Sequence, residues 1–327
     1  MSSHFPGQAP AAPRTGTGRQ CADAVLMVRP AAFAYNAQTA ATNAFQRPPG
    51  PEDESARHDA CGEFDALAAA VAGEGIRVCV LQDTPEPQKP DAVFPNNWIS
   101  FHADGTVVLY PLQSESRRRE RRRDAVEAVS ERLGYRLSRL VDLTAHEAHG
   151  RYLEGTGSLV LDHRNRVAYA CLSPRTDARV LAEWSGELGY RPVAFDAADR
   201  VGAPLYHTNV LMCIAEQAVV VALEAISPAD RDRVLAQLGD GGREVIAIGH
   251  SQLERFAGNM LELASWDESL GECRVLVMSE TARRALPEEA FARLSACTDE
   301  VLVAPVPTIE RLGGGSVRCM LAEVFLP

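Results

Sequence analysis

A chain of 327 residues with 46% hydrophobic and 24% charged residues is long enough for one large hydrophobic core or two smaller ones. Its formal net charge of −11 argues against nucleic acids and anionic membranes as partners. The sequence shows no apolar run of about 18 residues and no secretory signal, and its eight cysteines lack the spacing of a zinc site. We therefore expect a cytoplasmic protein with reduced cysteines, no metal and no cofactor.

Two segments stand out by composition. Residues 1–22 are rich in Ala, Pro, Gly, Ser and Thr, which predicts a disordered tail ahead of a single domain over residues 23–327. Residues 117–123 (RRRERRR) open a helical pattern that continues to Leu133, and we interpret them as a solvated helix face. This face is also a candidate contact for an acidic partner or a second subunit, which leaves a homodimer open.

A repeat organises most of the chain. Polar or small residues head five apolar runs that lie about 50–60 residues apart, namely Asn97, Gly157, Asn209, Asn259 and Ser316. A second strand and then a helix follow in the middle units, as in residues 167–172 before residues 178–188. Alternating strands and helices indicate an α/β fold, and five similar units imply a closed ring. The last unit has only a predicted strand over residues 317–325, and the strand at residues 24–30 would supply its partner.

Three segments carry candidate catalytic groups. A glycine run at residues 313–315 precedes Cys319, as would suit a nucleophile that a ligand approaches closely. Glu154 precedes small residues, and His207 and Asn209 begin an apolar run on one side of the chain if it is extended. A nucleophilic cysteine needs a base and an orienting group, and both are present. Taken singly, each residue also fits an ordinary structural role, such as a buried cysteine or a surface carboxylate.

The chain carries five short motifs in order: FPNNW at residues 94–98, Glu154-Gly155, His207-Thr208-Asn209, Gly258-Asn259 and residues 315–319. This set resembles the guanidino-group modifying enzymes of the pentein fold, and most closely the citrulline-utilisation hydrolases, which are described as amidinotransferase-related. The resemblance implies a pentein-type α/β propeller with five-fold pseudosymmetric ββαβ repeats. It also implies Cys319 as the nucleophile, His207 as the general acid and base, and Glu154 as the carboxylate that holds the substrate's planar head group.

One departure from the family pattern bears on the substrate. Arginine deiminases that resemble this chain carry aspartates where we align Asn97 and Asn209, with Asn96 as the alternative to Asn97. Aspartates grip a cationic guanidinium through paired, charge-assisted hydrogen bonds. An asparagine amide both donates and accepts, so it can face the carbonyl oxygen of a neutral ureido group. We therefore favour citrulline, hydrolysed to ornithine, ammonia and carbon dioxide through a covalent thiol intermediate.

Other functions stay open from the sequence. An arginine or succinylarginine deiminase or dihydrolase would use the same residues on a guanidino group. An amidinotransferase would need an acceptor amine, and a non-catalytic ligand-binding member would keep the fold without turnover. The expected partner is a small amino-acid substrate whose carboxylate meets an arginine, and Arg318 is one candidate for that role.

Overall fold

The computed structural model describes residues 18–239, 241–267 and 271–325. Residues 1–17 of the predicted disordered tail therefore lie outside the described residues. The end of that predicted tail is packed against the domain, because Gln20, Cys21 and Ala22 are buried and the Gln20 amide donates hydrogen bonds to Leu161 O and Ile214 O. Within the described part of the chain, no helix is long and apolar enough to cross a membrane.

Fifteen strands are described: β1 (Ala24–Arg29), β2 (Arg77–Gln82), β3 (Ile99–Phe101), β4 (Thr106–Leu109), β5 (Arg139–Asp142), β6 (Val160–Asp162), β7 (Val167–Cys171), β8 (Arg191–Phe195), β9 (Met212–Ile214), β10 (Ala218–Val221), β11 (Glu244–Ala247), β12 (Leu261–Asp267), β13 (Gly271–Ser279), β14 (Glu300–Ala304) and β15 (Ala322–Val324). The described α-helices are α1 (Ala37–Ala40), α2 (Ala56–Gly73), α3 (Glu115–Arg118), α4 (Asp124–Leu133), α5 (Gly155–Ser158), α6 (Ala178–Leu188), α7 (Thr208–Leu211), α8 (Pro228–Gly239), α9 (His250–Leu253), α10 (Glu280–Ala285) and α11 (Glu288–Ser295).

The same three-stranded unit occurs five times. In β3–β4–β5, β6–β7–β8, β9–β10–β11 and β12–β13–β14 the first two strands are antiparallel and the last two are parallel. Parallel neighbours need a crossover, and helices supply it between the second and third strands of each unit. The result is a mixed α/β fold built from a ββαβ unit.

The fifth unit joins the two ends of the chain. Strand β15 pairs antiparallel with β1, and β1 pairs parallel with β2. This pairing confirms the prediction that the N-terminal strand completes the last unit. A single pair, Val324 with Phe101, links β15 to β3, so the fifth and first units share one six-stranded sheet.

The local sequence explains how a crossover helix forms and where it packs. Helix α6 begins after Asp177, whose carboxylate accepts hydrogen bonds from the backbone N–H groups of Arg179 and Val180, and it ends at Gly189 in a left-handed conformation. One face of the helix, which includes Trp184 and Leu188, is buried against the core. The apolar spacing of about 3.6 residues thus covers the sheet on one side.

Two predictions about local structure were wrong. The first strands of the units begin later than predicted, because short helical turns precede them and contain Asn97, Gly157 and Asn209. In the same way, the predicted strand over 317–325 is a 3₁₀ turn (Val317–Met320) followed by β15. The continuous helix predicted from residue 117 to Leu133 is instead two helices, α3 and α4. Its arginine-rich part is not a wholly solvated face, because Arg117 is only 2% exposed. Apolar periodicity over three or four residues cannot separate a strand from a single helical turn.

Candidate active site

The turns that precede the first strands of several units meet at one cavity. Cys319 comes from the turn before β15, His207 directly precedes α7 and β9, and Asn97 ends the turn before β3. Three charged residues, Asp91, Arg117 and Arg175, also line the cavity. The cavity therefore combines a thiol, an imidazole, an amide and buried charges.

Two asparagine amides surround the sulfur of Cys319. The Nδ2 atoms of Asn209 and Asn259 each donate a hydrogen bond to Sγ at 3.3 Å. Asn259 is itself fixed, because its Oδ1 accepts from the backbone N–H of Arg318 at 3.1 Å and its Nδ2 also donates to Asn209 O at 2.9 Å. Donors aimed at a group that can carry negative charge favour its charged form. This arrangement suits a nucleophilic thiolate in a residue that is only 4% exposed.

His207 is held by Glu154 in one tautomer. The Nε2 atom of His207 lies 2.8 Å from Glu154 Oε2, while Glu154 Oε1 accepts the backbone N–H of Gln113 at 2.9 Å. An ionised carboxylate only accepts hydrogen bonds, so Nε2 carries the proton and Nδ1 is free to act as a base. Nδ1 lies beside Gly157, 2.7 Å from the position that a Cβ atom would occupy there.

The charges of this pair suit a general base at neutral pH. Burial alone would raise the pKa of Glu154, but Arg175 and His207 beside it bring that pKa down to about 2. Burial lowers the pKa of His207 to about 4, although Glu154 acts in the opposite direction. The imidazole is therefore neutral and the carboxylate ionised, as in the base and orienting group of a nucleophilic enzyme.

Asn97 is held by its neighbours on both sides of its amide. Its Oδ1 accepts from Arg117 Nη1 at 2.6 Å, and its Nδ2 donates to Asn96 Oδ1 at 3.0 Å. Arg117 in turn binds both carboxylate oxygens of Glu120 at 2.8–3.2 Å. Burial raises the pKa of Glu120 to about 7, while Arg117 acts to lower it.

The residues singled out from the sequence take different positions around the cavity. Cys319, His207 and Asn97 line it. Glu154 is behind His207, Asn209 is behind the sulfur and Asn96 supports Asn97. The guanidinium of Arg318 instead contacts Leu321 O and Glu323, along a second cavity. Glu154 is thus placed to orient the base, and a direct contact with the substrate's head group remains a prediction.

Two of the charged groups that line the cavity, Asp91 and Arg175, were not singled out from the sequence. Asp91 Oδ2 accepts from Asn36 Nδ2 at 2.8 Å, whereas the buried Oδ1 has no hydrogen-bond partner among the described residues. Arg175 donates through Nε and Nη2 to Thr42, and its Nη1 lies 3.6 Å from Glu154 Oε2. Asp91 lies between β2 and β3, and Arg175 lies between β7 and α6, so both are outside the turns that the repeat marks. No group of three His, Cys, Asp or Glu residues within the described ranges could hold a metal ion.

Several solved structures have a similar fold. The N-terminal domain of ArgZ, an arginine dihydrolase from the ornithine-ammonia cycle in cyanobacteria, superposes with a TM-score of 0.71 at 16% identity over 93% of this chain and 98% of that chain. Unliganded AgrE gives a TM-score of 0.68 at 18% identity over 93% of this chain and 39% of that chain. A dimethylarginine dimethylaminohydrolase bound to S-methyl-L-thiocitrulline gives 0.61 at 16% identity, over 92% and 99% of the two chains.

The chain corresponds to only part of some longer relatives. In the structure of ArgZ that includes more than the N-terminal domain, the match covers 41% of the ArgZ chain. A search of curated proteins found no significant match. The family model for N,N dimethylarginine dimethylhydrolase, eukaryotic, matches residues 29–326, which is most of the sequence. The chain therefore belongs to this family, within the pentein superfamily of guanidino-group modifying enzymes.

Proposed function

We propose that this protein is a cysteine hydrolase that cleaves a C–N bond in the ureido or guanidino group of an amino acid, with citrulline as the preferred substrate. One observation carries the proposal. The buried sulfur of Cys319, the free Nδ1 of His207 and the amide of Asn97 belong to a single cavity. A nucleophile, a base and a hydrogen-bond donor are the groups that acyl transfer through a thiol needs.

The proposed reaction uses two steps. His207 first takes the proton of the Cys319 thiol at Nδ1. The thiolate then adds to the ureido carbon, and the C–N bond breaks as His207 passes that proton to the leaving nitrogen. Water then adds to the thiol-bound carbon and gives a proton to His207, and the C–S bond breaks to return the thiolate. The carbamate that leaves decomposes, so that citrulline and water give ornithine, ammonia and carbon dioxide.

The charged groups in the cavity suit the zwitterionic end of an amino acid. Asp91 Oδ1 is a buried acceptor without a partner in the described part of the chain, and a buried acceptor is costly unless it is paired. We place the substrate's ammonium group there and its carboxylate at Nη1 of Arg175, because a guanidinium is the usual partner of a carboxylate. Arg175 also lies over the ring of Tyr206, which helps to fix its position.

The preference for a ureido group rests on Asn97. Its carbonyl oxygen accepts a hydrogen bond from Arg117, so the group that the amide can offer to the cavity is an N–H donor. A donor matches the oxygen of a ureide, which gains negative charge during attack, and does not match a cationic guanidinium. Because the family and two of the solved relatives are named for guanidino substrates, arginine, succinylarginine and N,N-dimethylarginine are the alternatives.

The five ββαβ units also support the five-fold propeller predicted from the sequence. Each of three units places a cavity residue on the turn before its first strand, as expected if the units are arranged around a common axis. Solution of an experimental structure, followed by superposition of each unit on the next, tests this arrangement. Successive rotations of about one fifth of a turn would support it.

The function is tested by incubating the purified protein with each of the four substrates and measuring ammonia, ornithine, citrulline and dimethylamine. Ornithine and ammonia from citrulline, absent for Cys319→Ala and retained for Cys61→Ala, would support the proposal. Cys61 is a suitable control because it is a free cysteine whose S–H donates to Pro30 O, away from the cavity. Turnover of arginine or dimethylarginine without turnover of citrulline would refute the ureido preference.

A further inference from the structure

The direction of the Asn97 amide is set by one contact. Arginine can donate but cannot accept hydrogen bonds, so the Asn97 atom that Arg117 Nη1 approaches at 2.6 Å has to be the oxygen. The Nδ2 atom then donates one hydrogen to Asn96 Oδ1 and keeps the other. A flipped amide would place donor against donor at Arg117. The cavity is therefore presented with an N–H group for as long as Arg117 stays in place.

Arg117 is itself fixed by Glu120. Its Nε atom donates to Glu120 Oε1 at 3.0 Å, and its Nη2 atom donates to Oε2 at 2.8 Å and to Phe94 O at 3.2 Å. Arg117 and Glu120 are 2% and 3% exposed, so water cannot substitute for either partner. A bidentate, planar ion pair between a guanidinium and a carboxylate fixes both the position and the orientation of the guanidinium.

The Nδ2 atom of Asn97 also lies close to the proposed base. Asn97 Nδ2 and His207 Nδ1 lie 2.4 and 2.7 Å from the same point, the position of a Cβ atom on Gly157. The two nitrogens are thus neighbours across a glycine that leaves room for both. A substrate atom that meets the base also comes within reach of the amide.

We infer that Arg117 and Glu120 are positioning residues that determine specificity by holding Asn97 as a hydrogen-bond donor, so that the site selects a head group with an oxygen over one with only N–H groups. The inference rests on the proposed function and adds the residues that set its substrate class. If the pair is removed, the amide can rotate and offer its oxygen instead. Discrimination between a ureido and a guanidino group should then fall while the nucleophile and base stay intact.

Citrulline and arginine form a matched pair for the test, because they differ only at the head carbon, where a neutral ureido group has an oxygen and a cationic guanidinium has an NH₂ group. Their dissociation constants are measured by titration calorimetry in the Cys319→Ala protein, which removes turnover. We expect Arg117→Met to reduce the preference for citrulline at least tenfold. Arg117→Lys, which keeps one donor, should recover part of it, and recovery of this kind is not expected from a general loss of structure.

Two further variants keep the test decisive. Arg122→Met is the matched control, since Arg122 belongs to the same arginine run and pairs with Asp124 at the surface, and it should leave the preference unchanged. If Arg117→Met fails to fold, the double variant Arg117→Met/Glu120→Met removes both buried charges and should show the same loss of preference. An unchanged preference in a folded variant without Arg117 would overturn the inference alone. Binding of neither ligand to Cys319→Ala would overturn the proposed function, and the inference with it.

Discussion

Gly157→Ala should strongly reduce catalysis with little change in the fold. A Cβ atom at this position would lie 2.4 Å from Asn97 Nδ2, 2.7 Å from His207 Nδ1 and 2.8 Å from His207 Cε1, whereas ordinary contact begins at 3.4 Å. The asparagine must therefore retreat by about 1 Å and the histidine by somewhat less. A misplacement of about 1 Å at reacting groups can cost about 100-fold in rate. We expect kcat/KM to fall by at least that factor.

The effect on stability should be modest by comparison. Extra volume in a packed site costs roughly 1–3 kcal/mol, and the backbone of Gly157 does not require a left-handed conformation. The matched control is Gly186→Ala in the exposed face of α6, where an added Cβ meets nothing within 4 Å. This control should leave kcat/KM unchanged and stabilise the protein by roughly 0.5–1 kcal/mol.

The assay combines steady-state kinetics on the best substrate with urea unfolding and the rate at which iodoacetamide alkylates Cys319. The alkylation rate reports on the thiol even if the physiological substrate differs from those tested. Full kcat/KM in a folded Gly157→Ala protein would show that Asn97 and His207 do not form the reaction centre. A loss of kcat/KM in Gly186→Ala would show that the assay responds to general helix changes.

Three other predictions follow from the buried charges. Glu154→Gln should lower kcat roughly 10²–10⁴-fold with little change in KM, because His207 loses the carboxylate that orients it. An unchanged kcat in steady-state assays would contradict the orienting role of Glu154. Burial holds the pKa of His207 at about 4, below its ordinary 6.5, so the acid limb of the kcat/KM profile should lie below pH 5. The free energy of unfolding in urea should also decline as pH falls from about 6.5 to 4, because the unfolded chain then binds a proton that the folded chain does not. An acid limb at pH 6.5 would argue against the buried base. Arg243→Met should lower the free energy of unfolding in urea by about 3–5 kcal/mol, because it removes the ion-pair partner of the buried Asp162 carboxylate. The kcat should stay as in the wild type. A loss of stability below about 1 kcal/mol would show that the ion pair is dispensable.

The repeat made much of the fold predictable. Strands that recur with similar spacing identified the α/β class, and the unpaired last strand pointed to the N-terminal strand as its partner. Cys319 was found from the glycine run that precedes it, and His207 from its place two residues before Asn209 at the start of an apolar run. Local apolar patterns were less informative, since the segments just ahead of the first strands are single helical turns that a periodicity of a few residues cannot distinguish from extended chain.

The charged side of the cavity could not be predicted in the same way. Asp91 and Arg175 come from connections whose paths depend on tertiary packing, and neither belongs to the repeated position. Arg117 was assigned to solvent because a run of arginines in an acidic chain usually marks an exposed face. Its burial depends on Glu120, three residues away on an interrupted helix, and on Phe94 O, and only the folded chain brings these acceptors to one guanidinium.

This division between repeat and connections suggests how the site is organised. The turns before the first strands supply the chemical groups, and they pack so closely that a Cβ on Gly258 would lie 2.6 Å from Val210 O of the neighbouring turn. Changes there would disturb Asn259 and, through it, the sulfur of Cys319. The connections supply Asp91, Arg117 and Arg175, which contact the cavity without forming the packed turns. Substitutions in the connections can therefore alter which head group is bound while the thiol and its base remain in place. Reaction type thus depends on the turns, whereas substrate class depends on Asn97 together with the connection residues that hold it.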